Sequence, residues 1–415
     1  MYPIKSIRGT SPPSLVATYM GFPHDRRFML LRVAGNQNMH VSQFPEMCLF
    51  TTALAPDSHD SLNPTPSTIR VTYTKDHTFD RPDQKVEDKV LEVPIAPDTA
   101  DLEKVEVIMH SSPTQGYDMG RQYNDWFSER FGYEVKLLCL GENRRKVLGN
   151  VPPDVAARQR DVPAATSSTA NGGNGWLGSL TSTVTLLLNA VTGAAEDKEN
   201  KYDGVDEGIS FADCAPYLVI STKSWENAQK RLPEGEVMDI SKFRPNIIVE
   251  GADEAFEEDF WGELQIGTDD SCRVVLTQNC TRCNSLNIDY NTGKVGEGEA
   301  GKILKKLQSD RRVDPGAKWS PVFGRYGFLA RLPAGQRGVE IKVGDEVKVL
   351  KRNQNRTRFG MSNVKPLATA DVGKCHHVEP LLTTVYRMAK SQHELREKTT
   401  LCYALDTLFF LLSLQ

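Results

Sequence analysis

Short runs in which apolar and polar residues alternate recur along most of the 415-residue chain. In STIRVTYTK the alternation puts Ile69, Val71 and Tyr73 on one face, which is the pattern of a half-buried strand. In GVEIKVGDEVKVL two such runs flank Gly344-Asp345, which predicts a β-hairpin. Many short strands separated by Gly, Pro and Asp turns, with few helical segments, predict a mainly β or α+β fold built on β-barrels.

Changes in composition divide the chain into four parts. Residues 1–149 and 205–352 hold the strand-like runs and are predicted to form two β domains. Residues 150–204 are rich in Pro, Ala, Ser and Gly and then in charge, which predicts a flexible linker or insertion. Within it, 175–193 predicts an amphipathic helix that either docks on its own protein or contacts a membrane surface peripherally. Residues 353–415 form a tail that is predicted to be partly helical.

Charge and termini restrict the class of partner. The net charge is −4 and the pI is near 6.1, which argues against a nucleic-acid-binding protein because such proteins usually carry a strongly basic domain or face. MYPIKSIRG is basic but no apolar segment follows it, so no signal peptide is expected. The apolar run at the C-terminus is interrupted by Asp406 and is shorter than the roughly 20 residues of a membrane-spanning helix.

A CxxC motif, Cys280-Thr281-Arg282-Cys283, offers three kinds of chemistry. A structural zinc site needs four ligands, and the additional candidates, Cys375-His376-His377, stand more than 90 residues away in the polar tail. A thioredoxin-like redox pair needs a helix directly after the motif, where NIDYNTG instead suggests a strand end and a turn. A single thiolate that binds a soft transition metal, with Arg282 favouring the ionised form, is the third possibility.

Three basic segments offer groups that bind a phosphate. Arginine forks, a lysine charge and a serine hydroxyl are the side chains that suit this anion. They occur in YPIKSIRG, in GFPHDRRFML and at the start of the strand in KFRPNIIVEG, and the candidates are Lys5, Ser6, Arg8, Arg26, Arg27, Arg244 and Asn246.

Taken in order, several of these segments resemble the MOSC-domain proteins. They are YPIKS, DRRFM, DCAPYLVIS, FRPNIIVEGA followed by FEEDFWGELQIG, CTRCNSLNIDYNTG, and WSPVFGRYGF with IKVGDEV. Their order is that of a MOSC N-terminal β-barrel domain followed by a MOSC β-barrel domain. The pattern is similar to the family of the mitochondrial amidoxime-reducing component, and it runs from residue 2 to about residue 350.

The resemblance implies a molybdenum cofactor and assigns residues to it. Cys283 would supply a thiolate to molybdenum, and Asp289 would stand near the metal as a second catalytic candidate. Lys5 and Ser6 would hold the phosphate end of the cofactor. The further cofactor contacts implied are Arg26, Arg244, Asn246, Thr281, Arg282 and Tyr326. This sequence departs from animal relatives at Cys214 and Ala215, where those proteins have Thr-Ser.

The resemblance also implies an activity. A molybdoenzyme of this kind would reduce N-oxygenated compounds such as amidoximes and hydroxylamines, with electrons from NADH through cytochrome b5 reductase and cytochrome b5. The alternative is a non-catalytic cofactor carrier or a sulfur-transfer type of MOSC module. The latter has a pyridoxal-phosphate domain upstream, for which the first 150 residues are too short, so pyridoxal phosphate is not expected. The expected location is cytoplasmic or mitochondrial, at the outer membrane.

Overall fold

The structure is a computed structural model. It describes residues 1–56, 66–74, 90–147, 150, 208–268, 272–330, 332, 335–359 and 385–388. The amphipathic segment predicted at 175–193 and Cys375-His376-His377 lie outside the described residues, as does most of the predicted linker and tail. Among the described residues, no helix combines the length and the apolar character that crossing a membrane requires.

The described part of the first half contains nine strands and one α-helix. They are β1 (Ser14–Ala17), β2 (Phe28–Arg32), β3 (Gln37–Asn38), β4 (Phe50–Pro56), β5 (Pro66–Tyr73), β6 (Val90–Pro94), β7 (Lys104–Met109), β8 (Ser112–Asp118), α1 (Arg121–Phe131) and β9 (Val135–Cys139). A five-stranded sheet has the order β3-β2-β9-β8-β7, and a three-stranded sheet has the order β4-β5-β6. Both sheets face one apolar core, and α1 adds the fully buried Phe127 to it.

The second half contains the remaining strands and two short α-helices. They are β10 (Tyr217–Ser221), α2 (Thr222–Gln229), β11 (Ile247–Glu250), β12 (Trp261–Ile266), β13 (Arg273–Thr281), β14 (Ile288–Asp289), β15 (Lys294–Val295), α3 (Ile303–Gln308), β16 (Val322–Leu329), β17 (Val339–Lys342), β18 (Glu346–Arg352) and β19 (Val385–Met388). Seven of them close a barrel in the order β10-β11-β19-β18-β12-β13-β16. The predicted mainly β fold with a barrel in the second half is therefore confirmed.

The predicted hairpin around Gly344-Asp345 is wrong in its pairing. Strands do form on both sides of this turn, and Gly344 has the positive φ of 94° that it requires. However, β17 pairs with β1 from the first half, whereas β18 pairs with β12 and β19 in the barrel. Alternation in sequence reports which side chains are buried, and it does not identify the partner strand.

The N-terminal segment connects the two halves. Lys5 N–H bonds to the carbonyl of Phe28, and Arg8 N–H bonds to the carbonyl of Phe50, both in the first half. Met1 packs in the apolar core of the barrel, and β1 pairs with β17 beside that barrel. The first residues of the chain therefore lie along the junction between the halves.

A buried ionic cluster joins the barrel strands to the loops that follow them. The carboxylate of Asp259 is fully buried and accepts hydrogen bonds from Arg311 Nη2 at 2.9 and 2.7 Å and from Arg356 Nε at 2.7 Å. Arg325, on β16, donates from Nη1 to Asn279 Oδ1 on β13 at 2.8 Å and to the Asp259 carbonyl at 3.2 Å. Burial lowers the pKa of Arg325 to about 10, so it still carries its charge at neutral pH.

Replacing Asp259 by Asn should destabilise the protein strongly. The change removes the carboxylate charge that pairs with two guanidinium groups, of which Arg311 is buried. Breaking one side of a buried ion pair costs roughly 3–5 kcal/mol. Urea unfolding followed by tryptophan fluorescence measures this loss. Glu92→Gln is the control, since the Glu92–Arg70 pair is exposed and its removal should hardly move the midpoint. Equal midpoints for the two variants would contradict the prediction.

Candidate functional site

A cavity of about 330 Å³ opens where the two halves meet. Its lining includes residues of the N-terminal segment, of the loops after β3 and after β7, of the segment before β10, and of the end of β13. The structure brings nine of the predicted site residues into this lining, namely Lys5, Ser6, Arg26, Arg244, Asn246, Thr281, Arg282, Cys283 and Tyr326. Residues more than 200 positions apart in sequence thus share one site.

Two arginines of the cavity are stacked on one buried aromatic ring. Tyr2 is 1% exposed, and the guanidinium carbons of Arg26 and Arg244 lie 4.9 and 4.3 Å from the centre of its ring. Arg26 donates to Asn246 Oδ1 at 3.2 Å and forms an ion pair with the buried Asp25. Such cation–π contacts hold a guanidinium in place without using its N–H groups.

Arg244 keeps part of its hydrogen-bonding capacity free. Its Nη1 donates to the carbonyl of Ile7 at 3.0 Å, whereas its Nη2 is buried and has no partner in the protein. Buried donors are normally satisfied, and an unsatisfied one points to an absent ligand or water. Asp213 adds a favourable charge for Arg26 and Arg244, but it also pairs with Lys5, so the carboxylates of Asp25 and Asp213 face three cations. Arg244 is therefore a group that an anion would satisfy in both charge and hydrogen bonding.

Three residues of the lining have left-handed backbone conformations that non-glycine residues rarely adopt. The φ angles of Ser6, Arg26 and Arg244 are 66°, 50° and 55°. Each costs of order 1–3 kcal/mol, and such residues cluster where a ligand is held. All three belong to the group for which the sequence predicts contacts to one anionic ligand.

Lys5 is held by protein groups on the same side of the cavity. Its Nζ donates to the carbonyl of Phe211 at 3.0 Å and forms an ion pair with the carboxylate of Asp213. Burial lowers the pKa of Lys5, and the charge of Asp213 opposes that shift. An anion that bound here would meet an ammonium already fixed in position.

The two cysteines of the CxxC motif occupy different environments. Cys280, on β13, is 2% exposed, and its Sγ accepts a hydrogen bond from Arg282 Nη1 at 3.0 Å. Cys283 follows the strand end and is exposed in the cavity, with Ser285 Oγ 3.4 Å from its Sγ. Only a single-turn 3-10 helix, Asn284–Asn287, comes after the motif. Both cysteines line the cavity, but only Cys283 is exposed, whereas Cys280 is buried and bonded to Arg282.

The zinc hypothesis finds no ligand set within the described residues. Over those ranges, no group of three or more His, Cys, Asp or Glu side chains is placed to hold a metal ion. Cys375-His376-His377 are not described. For the described part of the chain, Cys283 as a single thiolate ligand is the metal-binding hypothesis that the geometry accommodates.

The structure does not bring Asp289 into the cavity lining. Its carboxylate accepts hydrogen bonds from the Asn291 backbone N–H at 2.9 Å and from Thr292 Oγ1 at 3.0 Å. These bonds shape the turn between β14 and β15. The carboxylate thus has a structural use, and its catalytic role stays a prediction.

Sequence reasoning did not select several polar residues of the lining, among them two histidines and an aspartate that lie together. His110 Nε2 lies 3.2 Å from Asp213 Oδ1, and the rings of His110 and His40 are 6.0 Å apart. Burial, with the nearby charge of Lys5, lowers the pKa of His40 to about 4, so it is neutral at physiological pH. The sequence feature that could have identified Asp213 is its position as the first residue of the DCAPYL segment. The histidines stand in loops without a motif, and only their rarity, 8 in the chain, marks them.

Cys283 should be the first cysteine of the described chain to react with iodoacetamide in the native protein without bound ligand. The thiolate is the reactive form, and burial raises the pKa of Cys48 and of Cys214 to about 12. Peptide mapping by mass spectrometry after brief labelling measures the order. Cys283→Ser is the control, and it should remove the early label. Labelling of Cys280 at the same rate as Cys283 would contradict the separation described above.

Replacing Tyr2 by Leu should weaken the binding of inorganic pyrophosphate to the cavity. Two cation–π contacts of about 0.5–1 kcal/mol each are lost, which corresponds to a roughly 5- to 30-fold weaker affinity. Isothermal titration calorimetry measures the affinity. Tyr2→Phe is the matched control, because it keeps the ring and removes a buried hydroxyl that has no partner. If Tyr2→Leu binds as tightly as Tyr2→Phe, the stacked arginines do not form the anion site.

Family models match both halves of the chain. The MOSC N-terminal beta barrel domain matches residues 1–134, and the MOSC domain matches residues 206–348. A solution structure of a protein from Bordetella bronchiseptica is 12% identical and covers 30% of this chain and 83% of that one. Its TM-score of 0.20 is too low to support a statement about fold.

Curated relatives agree with the family models. The mitochondrial amidoxime-reducing component 1 of Homo sapiens is 35% identical over 34% of this chain and 39% of that protein, and component 2 of Rattus norvegicus is 36% identical over 34% and 38%. These alignments thus span about two fifths of each relative. Component 1 of Mus musculus is 25% identical over 84% of this chain and 80% of that protein. The chain therefore belongs to the proteins that join a MOSC N-terminal β-barrel domain to a MOSC domain, and it is distantly similar to the mitochondrial amidoxime-reducing components.

Proposed function

We propose that this protein is a molybdenum-cofactor-dependent oxidoreductase that reduces N-hydroxylated compounds such as amidoximes and hydroxylamines. The observation that carries the proposal is the cavity itself, in which the exposed thiol of Cys283 shares one space with the cations of Lys5, Arg26 and Arg244. A soft metal requires a thiolate, and a phosphate requires cationic donors. Molybdenum cofactor combines both requirements in one molecule.

The residues present fit this cofactor by their chemistry. Arg244 Nη2, which is buried and unpartnered, would donate to the phosphate together with Lys5 and the Ser6 hydroxyl. Asn246, Thr281 and Tyr326 would supply hydrogen bonds to the polar pterin, and Cys283 would hold the metal. Burial raises the pKa of Tyr326 well above its usual value, so its hydroxyl remains a donor. The cofactor, when bound, would supply the two-electron redox chemistry.

The reaction requires electrons that the chain does not itself provide. Reduction of an N-hydroxy group consumes two electrons and two protons, breaks the N–O bond and releases the amine or amidine with one water. The sequence contains no haem-attachment motif and no iron–sulfur cysteine set. GxGxxG occurs at 173–178, outside the described residues, and at 296–301, where it follows β15. Because β15 pairs antiparallel with β14, the second occurrence does not stand in the βαβ unit of a dinucleotide-binding site. We therefore include an external donor in the proposal, namely cytochrome b5 with NADH-cytochrome b5 reductase.

The deciding experiment measures molybdenum and pterin on protein purified from a host that makes the cofactor, followed by benzamidoxime turnover. Near one molybdenum and one pterin per chain, with turnover driven by reduced methyl viologen, supports the proposal. A protein that holds molybdenum and pterin but does not reduce benzamidoxime would instead be a cofactor carrier. Zinc without pterin would return the CxxC motif to a structural role and reject the proposal.

Cys283→Ala should abolish benzamidoxime turnover and lower the molybdenum content of the purified protein. Cys280→Ala should retain most of both, because the Cys280 thiol is buried and bonded to Arg282, whereas the Cys283 thiol is the exposed one of the two. Cys280→Ala should instead lower the free energy of unfolding by about 1–3 kcal/mol, since Arg282 Nη1 loses its acceptor. Metal analysis, turnover and urea unfolding separate the two variants. Equal losses of turnover would indicate a mechanism that uses both cysteines.

A further inference from the structure

A large aromatic side chain stands on the surface among cations, close to the strand that carries the CxxC motif. Trp319 is 70% exposed, which makes it the most exposed large apolar side chain among the described residues. It lies between the turn Pro315–Ala317 and β16. Lys318 lies next to it, and Lys305 on α3, Arg312 and Arg358 are further exposed cations on the helix and loops that contact this segment. Trp319 and these four residues are called the Trp319 surface.

Contacts join the helix and loops that carry these residues to the segment around Trp319. Lys318 Nζ lies 5.0 Å from the centre of the Trp319 ring, and Gln308 Nε2 donates to the Trp319 carbonyl at 3.5 Å. Arg311, which precedes Arg312, accepts the backbone N–H of Val322 at its carbonyl at 2.8 Å and donates from Nε to the Val322 carbonyl at 3.2 Å, at the start of β16. A Cβ placed on Gly316 would come within 3.0 Å of Arg358 Cγ, so this side chain lies against the same turn.

The cations of the Trp319 surface are not neutralised by the described protein. Within the described ranges, none of Lys305, Arg312, Lys318 and Arg358 forms an ion pair. The neighbouring acidic groups are already in use, since Glu299 pairs with Lys302 and Lys306, and Asp310 pairs with Arg231. The surface is therefore locally basic on a chain whose net charge is −4.

The Trp319 surface adjoins the thiol through the backbone. Two residues after Trp319, the carbonyl of Pro321 accepts the backbone N–H of Arg282 at 2.9 Å. The next residue, Val322, pairs with Thr281 across the two strands. Arg282 is followed directly by Cys283, which is exposed in the cavity. A protein bound on this surface would thus lie beside the residue proposed to hold the metal.

We propose that the Trp319 surface is the docking site for an acidic one-electron carrier protein. This inference rests on the proposed function, which requires electrons from outside the chain. Tryptophan and arginine are the residues that most often dominate binding at protein interfaces, and complementary charge steers encounter. The position beside Cys283 favours an electron carrier over an anionic membrane, because a short path to the metal serves electron transfer and has no use in membrane contact.

The test uses the full-length, cofactor-loaded protein and a soluble b-type cytochrome of negative net charge as the probe. The variants are the double charge reversal Arg312→Glu/Lys318→Glu and Trp319→Ser. Lys104→Glu, an exposed lysine on β7 in the other half of the chain, is the control. The dissociation constant for the oxidised cytochrome at low ionic strength, and the KM for the reduced cytochrome in turnover, are measured for each.

The double reversal should raise both constants by about tenfold or more, which is the lower range of electrostatic steering effects, and it should flatten their dependence on salt. Trp319→Ser should raise them without changing the salt dependence, and Lys104→Glu should change neither. Turnover with reduced methyl viologen, a small donor that needs no docking surface, should be the same for all variants.

Constants equal to wild type in both surface variants would overturn the docking site. Loss of binding to vesicles containing phosphatidylserine, with unchanged constants for the cytochrome, would also overturn it and assign the surface to a membrane. Failure of the proposed function has a different signature, since the wild-type protein would then lack viologen-driven turnover. Cytochrome binding measured without turnover would still report whether the Trp319 surface docks the carrier.

Discussion

The stacking of Arg26 and Arg244 on the buried ring of Tyr2 is the contact on which the rest of the site depends. It takes one residue from the start of the chain, one from the turn before β2 and one from the turn before β11. Two guanidinium groups at one ring repel each other, and Asp25 offsets only part of that repulsion. The fold thus maintains a cationic position at the junction of its halves, which an anionic ligand would stabilise.

That position explains why the N-terminal segment crosses between the halves. Asp25 accepts the backbone N–H of Tyr2 at 2.7 Å, and Arg26 N–H bonds to the Tyr2 carbonyl at 2.7 Å, so Tyr2 is fixed at both backbone groups. β1 follows along the chain and pairs with β17 beside the barrel. Because the same segment also bonds to β2 and β4, displacement of either half would move Lys5 and Ser6 out of the cavity.

The local sequence pattern was sufficient to predict where strands form, but it was insufficient to predict which strands pair. Alternation reflects which side chains are buried, so the mainly β fold followed from it. The pairing of β17 with β1 joins residues more than 300 positions apart, and no local pattern encodes such a contact. The site shows the same division. Arginine, lysine and cysteine within motifs indicated their chemistry, whereas His40 and His110 reach the cavity only because the loops that carry them converge there.

The distribution of charge shows why net charge limits function only in part. A chain of net charge −4 is a poor general binder of nucleic acid, yet two basic regions lie on either side of the end of β13. Inside, the cations of the cavity face the space beside Cys283. Outside, the segment that carries Trp319 continues to Pro321 and Val322, which bond to or pair with the same strand end. Arg282 lies between them, with its guanidinium turned inward to Cys280 and the Phe243 carbonyl. One short segment therefore connects the proposed metal ligand to the surface where electrons are proposed to enter.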